Sequence, residues 1–182
     1  ICESYQSRDN FYYNKTIREM KKGTPFIHQA VLRCVKYKVY GCADLLVRSD
    51  WLNKLVNNNI ILHSGMEIHS IFGHYHYRVI DIKYHTINFN VCKDTIRNGD
   101  QSVKAFKTQI ALYNIALGEM QQYQPSHSYI LGKGWKGVRT VNKNKQSLRS
   151  EDSFDRLGII DFDGDDKKCR NSSGLIPKSI KT

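Results

Sequence analysis

Two short apolar runs constrain this chain most: Gly41-Cys42-Ala43-Asp44-Leu45-Leu46-Val47 and Val79-Ile80-Asp81-Ile82-Lys83. Both have the leucine-rich or β-branched character of buried strands, and each carries an ionisable group. Side chains alternate between faces along a strand. Asp81 and Lys83 therefore share one face, and Ile80 and Ile82 the other. Burying a carboxylate and an amine on one face is costly unless something compensates them. These runs require a sheet core whose polar positions have a purpose.

Around them the chain reads as strands mixed with helices. Residues 11–22 form a short helix stopped by Gly23-Thr24-Pro25, and residues 26–36 a strand. A second strand covers 39–48, and Ser49-Asp50 caps a helix through about Asn57. The segment 60–74 is irregular, 75–84 is a third strand, 86–92 a fourth, and 128–131 a fifth, closed by Gly132-Lys133-Gly134. The clearest helix spans 103–122, with Phe106, Ile110, Tyr113, Leu117 and Met120 on one face. The expected class is α/β or α+β, a mixed sheet flanked by helices. Residues 1–140 read as one core, with 49–74 as an insertion. Residues 141–182 read as a polar linker plus a partial element in which only 157–162 is apolar enough to dock. A start without Met or a leader pattern reads as a piece of a longer protein.

Charge narrows the partner. With 28 Lys and Arg against 17 Asp and Glu, the net charge is +11, which favours a polyanion. Lysines outnumber arginines 18 to 10, which suits diffuse phosphate attraction better than base reading. The five cysteines are scattered and odd in number. They indicate neither a disulfide framework nor an iron–sulfur cluster, and they fit an intracellular, reduced setting. No apolar run is long enough to span a membrane, so no membrane partner is expected.

Phosphodiester hydrolysis needs a cation and an activated water. Mg²⁺ or Mn²⁺ takes oxygen ligands, commonly one or two carboxylates. Asp44 and Asp81 supply them, and the carbonyl of Ile82 is a natural third oxygen. Lys83 is placed to orient or deprotonate water, or to stabilise phosphate charge. Gln109 and Tyr113, four apart on the long helix, share a face and reach toward the lysine or the substrate. Taken alone, Asp-x-Lys also fits a solvated strand face, and Tyr113 also fits plain core.

Four blocks in order resemble the PD-(D/E)XK nuclease superfamily, and within it the RecB-type nucleases often joined to helicase modules. They are Met20 to Leu32, Gly41 to Val47, Val79 to Lys83, and Gln109-Ile110-Ala111-Leu112-Tyr113. The resemblance covers about residues 16–134. It implies a restriction-endonuclease-like core and metal-dependent DNA cleavage, with Asp44 and Asp81 as ligands, Lys83 catalytic, and Gln109 and Tyr113 in the site. Many such nucleases place a His or Glu ligand on a helix before the first strand; here the nearby candidates are His28 and Gln29, and Gln29 fits the nearest subgroup. The expected function is a RecB-like deoxyribonuclease, an exonuclease module in DNA repair, recombination or replication. Its expected partners are DNA and the helicase or other DNA-processing domains of a longer protein. The alternative is a non-catalytic nucleic-acid-binding module that retains the fold.

Two further groups stand out. His63, His69, His74, His76 and His85 gather around the third strand; exposed or half-buried histidines account for them better than zinc does. Tyr75, Tyr77, Tyr84 and Trp135 sit among basic residues and are candidates for stacking on bases, with core packing as the competing reading.

Overall fold

A computed structural model describes residues 4–55, 70–90, 95–97, 101–141, 144–150 and 157–162. Local signals set the first elements. After a short 3-10 helix (Ser4–Arg8), Asp9 caps α1 (Asn10–Lys21) by accepting from the Phe11 N–H at 2.8 Å. Gly23, at φ +72°, ends that segment where other residues would be strained. Strands β1 (Phe26–Cys34) and β2 (Val39–Arg48) form an antiparallel hairpin, and α2 (Ser49–Leu55) follows directly. Then come β3 (Tyr77–Asn90), β4 (Thr95–Ile96), α3 (Gln101–Gln121), β5 (His127–Val141), β6 (Asn144–Ser150) and β7 (Gly158–Asp161). The class is α+β, with a mixed sheet: β4 and β7 are parallel, and the other pairs with known register are antiparallel.

The chain divides into two compact units, Ile1–Asp81 with Leu112–Pro125, and Ile82–Ala111 with Ser126–Thr182. Both β3 and α3 run through the division.

In the first unit β2 lies between β1 and β3. Its core joins Met20 of α1, Ile27, Ala30 and Leu32 of β1, Ala43 and Leu46 of β2, Tyr77 and Val79 of β3, and Ala116, Leu117 and Met120 of α3. Two buried polar side chains tie helices to strands. The Thr16 hydroxyl donates to the Tyr12 carbonyl and accepts the Val31 N–H at 2.9 Å. Gln121 accepts the Tyr77 N–H at 2.8 Å and donates to the Tyr77 carbonyl at 3.2 Å. Such bonds relieve the penalty of burying backbone polar groups.

In the second unit the strand order is β3, β4, β7, β5, β6, with β5 also pairing to β3. Ile87, Phe89, Ile96, Val103, Ile110, Ile130 and Ile160 form its core.

Three sequence expectations change. The third and fourth strands are one continuous strand, because the polar Tyr84-His85-Thr86 stretch keeps alternating faces instead of turning. Gly132-Lys133-Gly134 lies inside β5 rather than closing it. A Cβ at Gly132 would sit 2.5 Å from Ile87 Cγ1, so this glycine serves close packing, not a turn. Strand β6 lies in the part of 141–182 whose composition reads as linker, while β7 falls in the apolar 157–162 stretch expected to dock. Their pairing is made by backbone groups, which composition does not report.

Candidate functional site

Strand register assembles the first part of the site. In the hairpin His28 pairs with Leu45 and Ala30 with Ala43, so Gln29 and Asp44 face the same step. On the other side of β2, Leu45 pairs with Ile80, so Asp44 and Asp81 are the next residues along their strands. Gln29, Asp44 and Asp81 thus occupy one row across three neighbouring strands of the first unit. The Gln29 Nε2 donates to Asp44 Oδ1 at 3.4 Å, and the Cys42 thiol donates to Gln29 Oε1 at 3.1 Å.

The row coincides with a distortion. Gln29 has φ +51°, a left-handed conformation uncommon outside glycine, asparagine and aspartate. Regular alternation would send Ile27 and Ala30 to opposite faces, as it would Leu46 and Ala43. All four instead enter the same core. The two strands reverse their facing together at the Gln29–Asp44 step. Uncommon backbone of this kind collects at functional sites because the surrounding fold must sustain it.

Asp81 is 1% exposed, whereas the next residue, Ile82, is 48% exposed. The expected alternation therefore holds, and the carboxylate takes the buried side. Tyr113, on α3, lies against β2 at Gly41, three residues before Asp44. A Cβ at Gly41 would be 2.5 Å from Tyr113 Cε1, so only glycine leaves room for the ring. That gives the glycine of the Gly41–Val47 block a physical reason.

The second unit holds the other two residues. The Lys83 amine donates to Gln109 Oε1 at 2.9 Å and sits 5.2 Å from the centroid of the Phe106 ring. The glutamine carbonyl fixes the position of the ammonium group beside the ring. Lys83 is half-buried, and it follows Asp81 by two residues along the same strand.

Other candidates are placed elsewhere. His28 is exposed, one position off the row. Tyr77 is fully buried, its hydroxyl donating to the Thr24 carbonyl at 2.8 Å, and burial pushes its pKa up, with Tyr75 nearby adding to the shift. Tyr75 donates to the Met20 carbonyl at 2.9 Å and stacks on Phe72. These two rings are core and do not line a cleft. Trp135 is half-buried against Phe89, while Tyr84 is 88% exposed. His76 is buried rather than exposed, because Arg78 donates to its Nε2 at 2.9 Å and stands in for water. His63 and His69 lie outside the described residues. Among the described residues, no three His, Cys, Asp or Glu side chains gather as a metal site.

Sequence reasoning found the residue types of the row but not the row itself. Gln29 was marked by the family resemblance, and its reach to Asp44 follows from register within β1 and β2. The Cys42 contact left no signal in the sequence, since one cysteine among apolar neighbours reads as packing.

No protein-family model matches the chain, and neither a curated protein nor a solved structure does.

Proposed function

We propose that this chain is a metal-dependent deoxyribonuclease of the RecB type, built on a restriction-endonuclease-like core. The observation that carries the reading is the row of Gln29, Asp44 and Asp81, with Asp81 buried at 1% exposure. Two carboxylates in one row repel each other and lose hydration, a cost that a cation offsets. The donors are oxygens, and Asp44, Asp81 and the Ile82 carbonyl match what Mg²⁺ or Mn²⁺ accepts. When bound, the ion supplies charge neutralisation at the phosphate and a more acidic water.

The chain's own residues do the rest. Asp44 and Asp81 hold the charge that defines where the phosphate must sit. Gln29 steadies the Asp44 carboxylate through its amide. Gln109 holds the Lys83 amine, which is two residues from Asp81 on the same strand and able to orient a water or steady phosphate charge. Tyr113, seated on Gly41, gives β2 a rigid backing next to Asp44. The net charge of +11 favours encounter with DNA.

A second reading, a DNA-binding module without catalysis, is favoured by one observation: no third acidic or His ligand joins the pair among the described residues. Cleavage assays separate the two. With Mg²⁺ or Mn²⁺, end-labelled linear DNA is cut by the wild-type chain. Asp81→Ala and Lys83→Ala lower the rate by at least about 1,000-fold while binding survives. Undiminished cutting by either variant sinks the nuclease reading. Salt-sensitive binding without cleavage in any divalent ion supports the module.

A further inference from the structure

The outward face of β3 changes character along its length. Ile80 is 2% exposed, whereas Ile82 is 48% and Tyr84 88% exposed. Within the second unit, Lys133 of β5 places its Nζ 4.3 Å from the centroid of the Tyr84 ring. Lys133 is itself exposed, and a Cβ built on the adjacent Gly134 would meet nothing within 4 Å. A tyrosine ring this bare forgoes the burial that aromatic side chains ordinarily contribute.

The chemistry of this patch selects a partner. A flat ring open to solvent offers a surface on which a base can stack, and Ile82 extends it with an aliphatic edge. Lys133, exposed beside the ring, supplies a positive charge for the adjoining phosphate. Stacking platforms with a nearby cation are how proteins hold single strands. Duplex DNA offers base edges in its grooves and keeps the base faces stacked, which leaves the ring nothing to cover. A second copy of the chain would bring the same +11 charge to the contact, which opposes self-association through a lysine-bearing patch.

We propose that Tyr84, Ile82 and Lys133 form a stacking platform for an unpaired base of single-stranded DNA. Tyr84 lies on the face of β3 opposite Lys83, so the platform grips the strand and does not take part in cleavage. The choice of DNA rests on the nuclease reading above; the platform itself does not.

The test is fluorescence anisotropy of labelled oligothymidylate with the full chain in a metal chelator, where binding is read without cleavage. Tyr84→Ala weakens binding roughly 10-fold, and Tyr84→Phe keeps it. An abasic strand of equal length binds wild type and Tyr84→Ala alike. Unchanged affinity of Tyr84→Ala, or an equal loss on the abasic strand, overturns the platform. Tighter binding of oligouridylate overturns the assignment to DNA. A wild-type dimer that Tyr84→Ala dissociates overturns it in favour of self-association. Because binding is read in chelator, a chain that never cuts DNA can pass this test, and one that cuts can fail it.

Discussion

Residues 76–81, around the start of β3, contribute to two buried polar groupings in the first unit, and they differ in kind. His76 and Arg78 are 1% and 4% exposed, and the Arg78 Nε donates to His76 Nε2 at 2.9 Å. His76 immediately precedes β3 and Arg78 lies within it, two residues on, and the imidazole edges onto the Tyr123 ring. Burial, aided by the Arg78 charge, lowers the His76 pKa to about 3, so the ring is neutral. Asp81, equally buried, instead joins a row drawn from three strands and shares it with a second carboxylate. The first grouping is a bond between residues two apart that leaves His76 Nδ1 without a partner among the described residues, and it carries the positive charge of Arg78. The second sets two carboxylates in one row at a distorted step. Burial of a polar side chain therefore does not mark function by itself; convergence of unlike strands on like charges is the sharper sign.

The largest expected difference between these groupings is in acid. Folded His76 stays neutral down to about pH 3, while in the unfolded chain it protonates near 6.5. Its contribution is complete above pH 6.5 and is lost as pH falls, by about 1.4 kcal/mol per pH unit until the folded pKa is reached. By two units below 6.5 the loss is about 3 kcal/mol. Urea midpoints across this range should show a flatter acid slope for His76→Gln. A slope identical to wild type would remove the buried imidazole from the account.

A smaller effect is expected beside the Asp row. Gly41→Ala forces a methyl into the Tyr113 ring and should cost about 1–3 kcal/mol in chemical denaturation. In the Tyr113→Leu background the same change should cost less, because the two sites share one space. Additive losses would show that the ring does not depend on the glycine.

The smallest effect separates the groupings most directly. Mg²⁺ at ten times its dissociation constant should stabilise the folded chain by about 1.4 kcal/mol. Thermal melts at constant ionic strength should show that shift in wild type and in His76→Gln, but not in Asp81→Asn. An undiminished shift in Asp81→Asn would place the cation elsewhere.

Much of the site was legible in the residue order. The Asp81-x-Lys83 spacing implied a shared face, and the burial of Asp81 with exposure of Ile82 follows that alternation. The spacing of Gln109 and Tyr113 put both on one helix face, and each now has a contact: Gln109 with Lys83, Tyr113 with the backbone at Gly41. The misreadings have a common cause. His76 and Gly132 were judged from their neighbours in sequence, whereas their environments are set by Arg78 and Ile87 through packing.

The sequence by itself determined the main helices, the first two strands and the alternation of faces around Asp81. Those properties depend on local periodicity, which a chain displays without folding. Tertiary structure alone decided that Gln29, Asp44 and Asp81 share a row, and that two strands reverse their facing there. Register is a relation between strands distant in sequence, and a one-residue slip would move every one of these side chains to the other face.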